Sequence, residues 1–248
     1  MDLGLTGRTA LITGASAGIG AAVAEAFAAE GCHLHLAART KQQLDNLAER
    51  LRADHGVDVH THSVDLRLTE DIQRLVDAVG APDILVNNAG DIPAGSLETV
   101  DADAWRHGWD LKVYGYIDLT RLVYAAMKQR GHGVIVNDIG AAGERPDFDY
   151  IAGSTGNAAL MAFTKALGGR SWRDGIRVVG INPGPVATAR INHLIDSSDR
   201  FRAMAEEFPF GRPAHPREIA DLAAFLASDR SAYTSGTIVT VDGGLSNS

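Results

Sequence analysis

The stretch Thr13-Gly14-Ala15-Ser16-Ala17-Gly18-Ile19-Gly20 constrains this chain more than any other. A β-rich run, Arg8–Thr13, precedes it, and a helical pattern, Gly18–Ala29, follows it. Glycines spaced G-x-x-x-G-x-G remove the side chains that would hold a ligand away from the backbone. A helix that starts there offers unpaired N–H donors and the positive end of its dipole. Gly14, Ser16, Gly18, Ile19 and Gly20 are therefore the expected phosphate-binding residues of a dinucleotide site. Glycines also make purely structural turns. Here the strand before and the helix after favour the nucleotide.

The rest of the chain repeats that strand–helix alternation. Arg8–Thr13, Cys32–Ala38, Val57–Val64, Asp83–Asn87, Gly133–Asp138, Ile176–Ile181 and Thr237–Val241 read as seven strands. Helical patterns cover Gly18–Ala29, Lys41–Arg52, Glu70–Val79, Ala102–Arg130, Ala152–Leu167 and Arg217–Ala227. Such alternation predicts right-handed βαβ units, hence an α/β, doubly wound parallel sheet with helices on both faces. No Pro/Ser linker interrupts it, so residues 1–248 form one expected domain. The polar segment 188–211 fits neither pattern and reads as a substrate lid or a surface excursion.

Twenty-three basic against thirty-one acidic residues leave a net charge of -8. A nucleic-acid partner is not expected, because phosphate binding needs a basic stripe. The apolar runs are too short for a membrane span. The N-terminus shows no signal peptide, so a cytoplasmic protein is expected. The lone Cys32 has no partner for a disulfide and lies in an apolar run, which suits a buried, inert thiol.

Further motifs follow the glycine loop in order: Val64-Asp65-Leu66, Asn87-Asn88-Ala89-Gly90, Asn182-Pro183-Gly184-Pro185-Val186 with Thr188, and Gly211-Arg212-Pro213 through Val241-Asp242-Gly243-Gly244. On these motifs the chain resembles the short-chain dehydrogenase/reductase family over essentially its whole length. The resemblance implies a Rossmann-type sheet, an NAD(P) site along its C-terminal edge and a homo-oligomer, a tetramer or dimer. It assigns Asp65 and Leu66 to an adenine-contacting step, and Asn88, Ala89, Gly90, Pro183, Gly184, Val186 and Thr188 to the same cofactor site. At the end of the second strand, Ala37-Ala38-Arg39-Thr40 lacks the carboxylate that binds ribose hydroxyls and repels a 2′-phosphate. Arg39 can bond to that phosphate, which favours NADP over NAD. The alternative is a solvated Arg at a strand end.

The family's usual proton-transfer group does not match. Ordinary members use an Asn, a Ser, a Tyr and a Lys, with Tyr and Lys four apart on one helix face. The tail Asn157–Thr164 fits the family register without gaps and puts Gly153 in the Tyr position and Asn157 in the Lys position. The Ser position falls on Gly140 and the Asn position on Lys112. Lys112 and Tyr150 remain as candidate catalytic groups. Lys112 would supply an ammonium near Asp138 or a substrate carbonyl, or else bond a backbone carbonyl and serve the fold. Tyr150 would reach a pocket widened by the lost side chains, or else be structural.

His33 and His35, and His60 and His62, alternate on strands that this fold sets side by side. Ordinary strand positions are preferred to a metal site, and no metal is expected. Trp105, Trp109, Met161 and Phe163 are the expected apolar area of a self-association interface. Three functions follow: an NADP-linked oxidoreductase on a small carbonyl or alcohol with a non-standard proton donor; a non-redox lyase or hydratase-like enzyme on the same fold; or a non-catalytic nucleotide-binding partner or sensor.

Overall fold

The computed structural model describes residues 1–197 and 199–247. Seven strands form one parallel sheet: β1 Thr9–Thr13, β2 His33–Ala38, β3 Val59–Ser63, β4 Ile84–Asn87, β5 Gly133–Asp138, β6 Ile176–Pro183 and β7 Ile238–Val241. Their spatial order is β3-β2-β1-β4-β5-β6-β7. The order reverses between β1 and β4, and a crevice opens at such a switch point beyond the strand C-termini. The helices are α1 Gly18–Ala29, α2 Lys41–His55, α3 Thr69–Val79, α4 Ala102–Trp109, α5 Gly115–Arg130, α6 Ile151–Gly168, α7 Ala189–Ser197, α8 Asp199–Glu206 and α9 Pro216–Ala227. Every expected strand is present, most of them trimmed at the ends.

Strand alternation sorts the core into two layers. Leu34 and Leu36 of β2 pack with Phe27, Leu44 and Ala223 of α1, α2 and α9. Ala37 of β2 faces the other way, towards Ile72, Leu75, Leu119 and Val123 of α3 and α5. A buried polar ladder crosses the sheet. The Asn87 amide donates to Asn137 Oδ1 and Thr120 Oγ1, both at 2.9 Å, and the Asn137 amide donates to Thr164 Oγ1 at 2.9 Å. Each of these buried amides would carry a desolvation cost without its partner.

Three expectations need correction. The single helix Ala102–Arg130 is two helices joined by a π-helical segment, Asp110–Tyr114. The extra residue per turn lets Gly115 pass close to the Leu66 carbonyl, where a Cβ would stand 3.2 Å from the oxygen. The segment 188–211 is not one irregular excursion but carries α7, α8 and a 3₁₀ turn at Pro209–Gly211. Met161 is not available to a partner. It is buried with Tyr116, Ile139 and Leu160, while Trp105, Trp109 and Phe163 are half-buried and Trp109 Nε1 donates to the Ala152 carbonyl at 2.9 Å.

The histidines meet as the alternation demands. His35 faces His60 in the β2–β3 register. Its ring stacks on His60 and His62, and His35 Nδ1 lies 2.9 Å from His62 Nε2. Burial, with the neighbouring imidazoles adding to it, pushes the His35 pKa down to about 4 and lowers that of His62. Among the described residues no group of three histidine, cysteine or carboxylate side chains is arranged to hold a metal ion. An imidazole whose folded pKa is depressed binds its proton mainly after unfolding. Its stabilising contribution is complete above the unfolded value, about 6.5, and is lost as pH falls through the window down to about 4. Thermal melts should therefore show wild type losing more stability between pH 7 and pH 5 than the His35→Asn/His62→Asn double variant. Equal losses would remove the stack from the acid response.

Candidate active site

The phosphate loop is shaped by close backbone approach. Gly14 has φ +64, and a Cβ there would stand 2.7 Å from the Asn88 amide nitrogen. A Cβ on Gly20 would overlap the Gly14 carbonyl oxygen. No side chain caps α1 at Ala17, so its first-turn N–H groups face the crevice mouth without a side-chain acceptor. Asn88 holds the loop in place. Its side chain donates to the Thr13 carbonyl at 2.8 Å, and the Asn88 and Ala89 N–H groups donate to Thr13 Oγ1 at 2.9 and 3.1 Å. Such a cradle fits a dinucleotide pyrophosphate. Ser16, Gly18 and Ile19 are half-buried beside it.

The C-terminal ends of β2 and β3 carry one unexpected residue. Arg39 is exposed at the end of β2, and its carbonyl accepts from Ser63 Oγ at 3.1 Å. Asp65 is gripped by Arg67, whose Nε lies 2.8 and 3.1 Å from the two carboxylate oxygens. Those bonds hold the Asp65 pKa below the usual carboxylate range, and Arg39 adds to the effect from further off. Arg67 itself escaped the sequence reading, because it belongs to no motif. The Leu66 side chain is core and packs in the layer of Ile72 and Leu75.

The other end of the crevice lies under β6. Gly184 abuts Asp242, where a Cβ would stand 2.7 Å from the Asp242 Cβ. Val186 is buried and bridges Ala214, and Pro183 ends the strand. The Thr188 N–H donates to the Val186 carbonyl at 2.6 Å. Its methyl would lie 3.1 Å from a Cβ on Gly18, so the start of α7 touches the phosphate loop.

Lys112 lies on the π-helical segment with its stem across Gly90; a Cβ on Gly90 would stand 2.8 Å from Lys112 Cδ. Its ammonium donates to the Ile139 carbonyl, not to the Asp138 carboxylate. The backbone contact considered from sequence is thus the direct bond, and Asp138 acts through space. Burial dominates both groups. It lowers the Lys112 pKa against the pull of Asp138, and it raises Asp138 to about 6 against the pull of Lys112. Tyr116, fully buried, donates to the Asp138 carbonyl at 2.8 Å and fixes that strand end.

The Gly153 and Gly140 positions have been filled by neighbours. A Cβ on Gly153 would fall within the Tyr150 ring, 2.5 Å from Cε2. Tyr150 is half-buried at the start of α6, and burial raises its pKa. Gly140, at φ +130, faces Asn157, where a Cβ would stand 2.8 Å from the amide nitrogen. Asn157 is buried, and its Oδ1 finds no hydrogen-bond partner. The remaining helix glycine, Gly156, has its own reason: a Cβ there would press on Val113 and Trp109 at 3.1 and 3.3 Å. Arg190, Asp91 and Ile92 complete the site and were not read from sequence. The Arg190 guanidinium donates to the Ile92 carbonyl at 2.7 Å and stands 3.3 Å from Asp91 Oδ1.

Comparisons with known proteins give the family and the fold. The profile of a family described as Enoyl-(Acyl carrier protein) reductase matches residues 14–246. The chain is 34% identical to L-xylulose reductase of Bos taurus over 245 residues, covering 98% of both chains. The structure of L-sorbose reductase from Gluconobacter frateurii, complexed with NADPH and L-sorbose, superposes with a TM-score of 0.93 at 34% identity, covering 100% of both chains. A 7α-hydroxysteroid dehydrogenase complexed with NADH and 7-oxo glycochenodeoxycholic acid gives 0.91 at 28% identity, covering 98% of this chain and 96% of that one.

The packed Tyr150 ring makes a direct test. Gly153→Ala should destabilise by about 1–3 kcal/mol, the usual range for an overpacked core. The same change in a Tyr150→Ala background should cost much less, leaving a clear coupling term. Denaturant titrations of the four proteins measure it, and additive effects would place the ring elsewhere.

Proposed function

Because the chain belongs to the short-chain dehydrogenase/reductase family, we propose that it moves hydride between NADP(H) and a small carbonyl or alcohol, with Lys112 and Tyr150 handling the proton. The observation that carries this reading is Lys112 beside Gly90 and Asp138, at the position where the family's Asn is expected. The chain is an oxidoreductase by family, and its fold is the doubly wound nucleotide-binding sheet.

The bound cofactor would supply the hydride acceptor or donor at its nicotinamide ring. Gly14, Gly18, Ile19 and Gly20 would hold the pyrophosphate, with Ser16 beside them. Arg39 would meet a 2′-phosphate, and Asp65 with Leu66 would line the adenine. Asn88, Ala89 and Gly90, with Pro183, Gly184, Val186 and Thr188, would frame the nicotinamide half. Lys112 would then stabilise charge developing on a substrate oxygen, and its burial makes proton release easier than from a surface lysine. Tyr150 would donate a second hydrogen bond from the start of α6. Asn157, with an unpaired carbonyl oxygen, would accept from a hydroxyl or water where the family places its Lys. Polyhydroxy ketones are the first substrate class to try, since relatives are named as reductases of L-xylulose and L-sorbose. Arg39 supports NADP, although one similar structure holds NADH.

A second reading, non-redox lyase or hydratase chemistry on the same fold, draws on the glycines at 140 and 153 and the Asn at 157. We also propose a homo-oligomer in the cytoplasm, as the family resemblance implies; among the described residues no helix is long and apolar enough to cross a membrane.

Isothermal titration should give tighter binding of NADPH than NADH, and Arg39→Ala should erase most of the difference. Equal affinities in wild type would overturn the cofactor choice. On any substrate found with NADPH, Lys112→Met should lower kcat/KM by about 10²–10⁴-fold, the usual reach of a positioned acid or base. Unchanged kinetics in both Lys112→Met and Tyr150→Phe would remove these residues from the chemistry.

A further inference from the structure

Asp138 closes β5 with only 7% of its surface exposed, and among the described residues its carboxylate accepts no hydrogen bond. Its backbone carbonyl takes the Tyr116 hydroxyl, and the Lys112 ammonium bonds the next carbonyl, that of Ile139. A buried carboxylate without a donor costs stability that no internal contact returns. Nothing in the fold gains from that cost, which points to a ligand. Strand alternation shows which side of the sheet the group serves. Ile135 packs in the α3 and α5 layer, the Asn137 amide donates to Thr164 of α6, and Ile139 packs on Leu160 of α6. Val134 and Val136 lie in the opposite layer, with Val23 and Phe27 of α1. Asp138 continues that second row, opposite Ile181 in the β5–β6 ladder. In the same layer Ile12, Val86 and Val136 stand side by side. Two residues further along those strands come Gly14, Asn88 and Asp138. Gly14 and Asn88 make the phosphate loop and its clasp. Asp138 therefore lies on the crevice face, one strand beyond the clasp and on the side away from Arg39.

We propose that the Asp138 carboxylate faces the nicotinamide half of a bound dinucleotide and sets which redox form the protein holds, favouring the positively charged pyridinium of the oxidised cofactor over the neutral dihydropyridine of the reduced one. This inference rests on the reading of the crevice as a dinucleotide site. A dinucleotide with its pyrophosphate at α1 and its adenosine end at Arg39 has its other half on the Asp138 side of the switch point. A fixed negative charge there attracts the oxidised ring and leaves the reduced ring nearly indifferent. The groups that bear on Asp138 are few. Lys112 from the π-helical segment pulls its pKa down, and the Tyr116 phenol from α5, itself neutral, holds its backbone. Arg190 acts on Lys112 in turn. The neighbouring strands bring the apolar Val86 and Ile181. Because the Lys112 ammonium bonds the Ile139 carbonyl, the carboxylate charge is left for a ligand.

Binding alone tests this. NADP⁺ and freshly prepared NADPH are titrated calorimetrically into the full-length protein at pH 8 and at pH 5.5. The 2′-phosphate and everything that holds it are common to both forms, so the ratio of the two association constants isolates the ring charge. At pH 8, Asp138→Asn should lower the NADP⁺/NADPH ratio by roughly tenfold, an effect within reach of one unit charge several ångströms away in a protein site. For a two-electron couple that factor is about 30 mV, by which the wild type would make its bound NADPH the stronger reductant. The carboxyl is charged above about 6 and neutral below, so the wild-type ratio should fall on going from pH 8 to pH 5.5. In Asp138→Asn the ratio should be the same at both. In Lys112→Met the fall on acidification should persist, which keeps the test decisive should Asp138→Asn fail to fold. An unchanged ratio in Asp138→Asn, with both forms bound, overturns the proposal and leaves the dinucleotide site standing. A pH dependence that survives in Asp138→Asn, or vanishes in Lys112→Met, belongs to the ammonium and overturns it equally. Binding of neither form by the wild type overturns the cofactor reading and this inference with it.

Discussion

The site depends first on the clasp between Thr13 and Asn88. Two neighbouring parallel strands end there, and neither ends on its own terms. The Thr13 hydroxyl accepts from two successive N–H groups after β4, and the Asn88 amide returns a bond to the Thr13 carbonyl. Backbone polar groups at a strand end need such partners once the ladder stops. The clasp uses them to fix the glycine loop on one side and the Asn88–Gly90 turn on the other. Gly90 then has no side chain to keep the Lys112 stem away. Phosphate cradle and ammonium are thus positioned from one knot of hydrogen bonds.

Lys112 and Asp138 set the electrostatics of this part of the site. A buried amine and a buried carboxyl stand near each other without bonding. Desolvation drives each towards its neutral form, and their attraction only partly opposes it. Each charge still bears on its neighbour, Asp138 pulling the Lys112 pKa up and Lys112 pulling that of Asp138 down. The π-helical segment is what makes the arrangement fit. It carries Lys112 on a wider turn, between Gly90 and the Ile139 carbonyl, while Val113 and Trp109 close the space around Gly156.

Most of the fold was legible because apolar runs of a parallel sheet are short, continuous and bounded by glycine. The phosphate loop was legible because backbone approach demands glycine at fixed places. The helix break at Asp110–Tyr114 was hidden, since no proline marks it in the sequence. Arg190 and Asp91 were hidden for another reason: they are ninety-nine residues apart and meet only through folding. Tyr150 was visible as a candidate, yet its seat against Gly153 follows from rotamer and helix geometry that no spacing rule encodes. Met161 was misplaced in the expected interface because helical spacing shows that a residue lies on an apolar stripe, not which layer covers the stripe.

The Tyr150 ring against Gly153 also makes neighbouring positions interdependent. The ring fills the volume that a side chain at 153 would need, and the Asn157 amide likewise crowds Gly140. A side chain at 153 requires the ring at 150 to turn away, and a serine at 140 requires the Asn157 amide to shift. A single substitution towards the family's usual residues therefore has to move its neighbour as well, so these positions are expected to change together rather than one at a time.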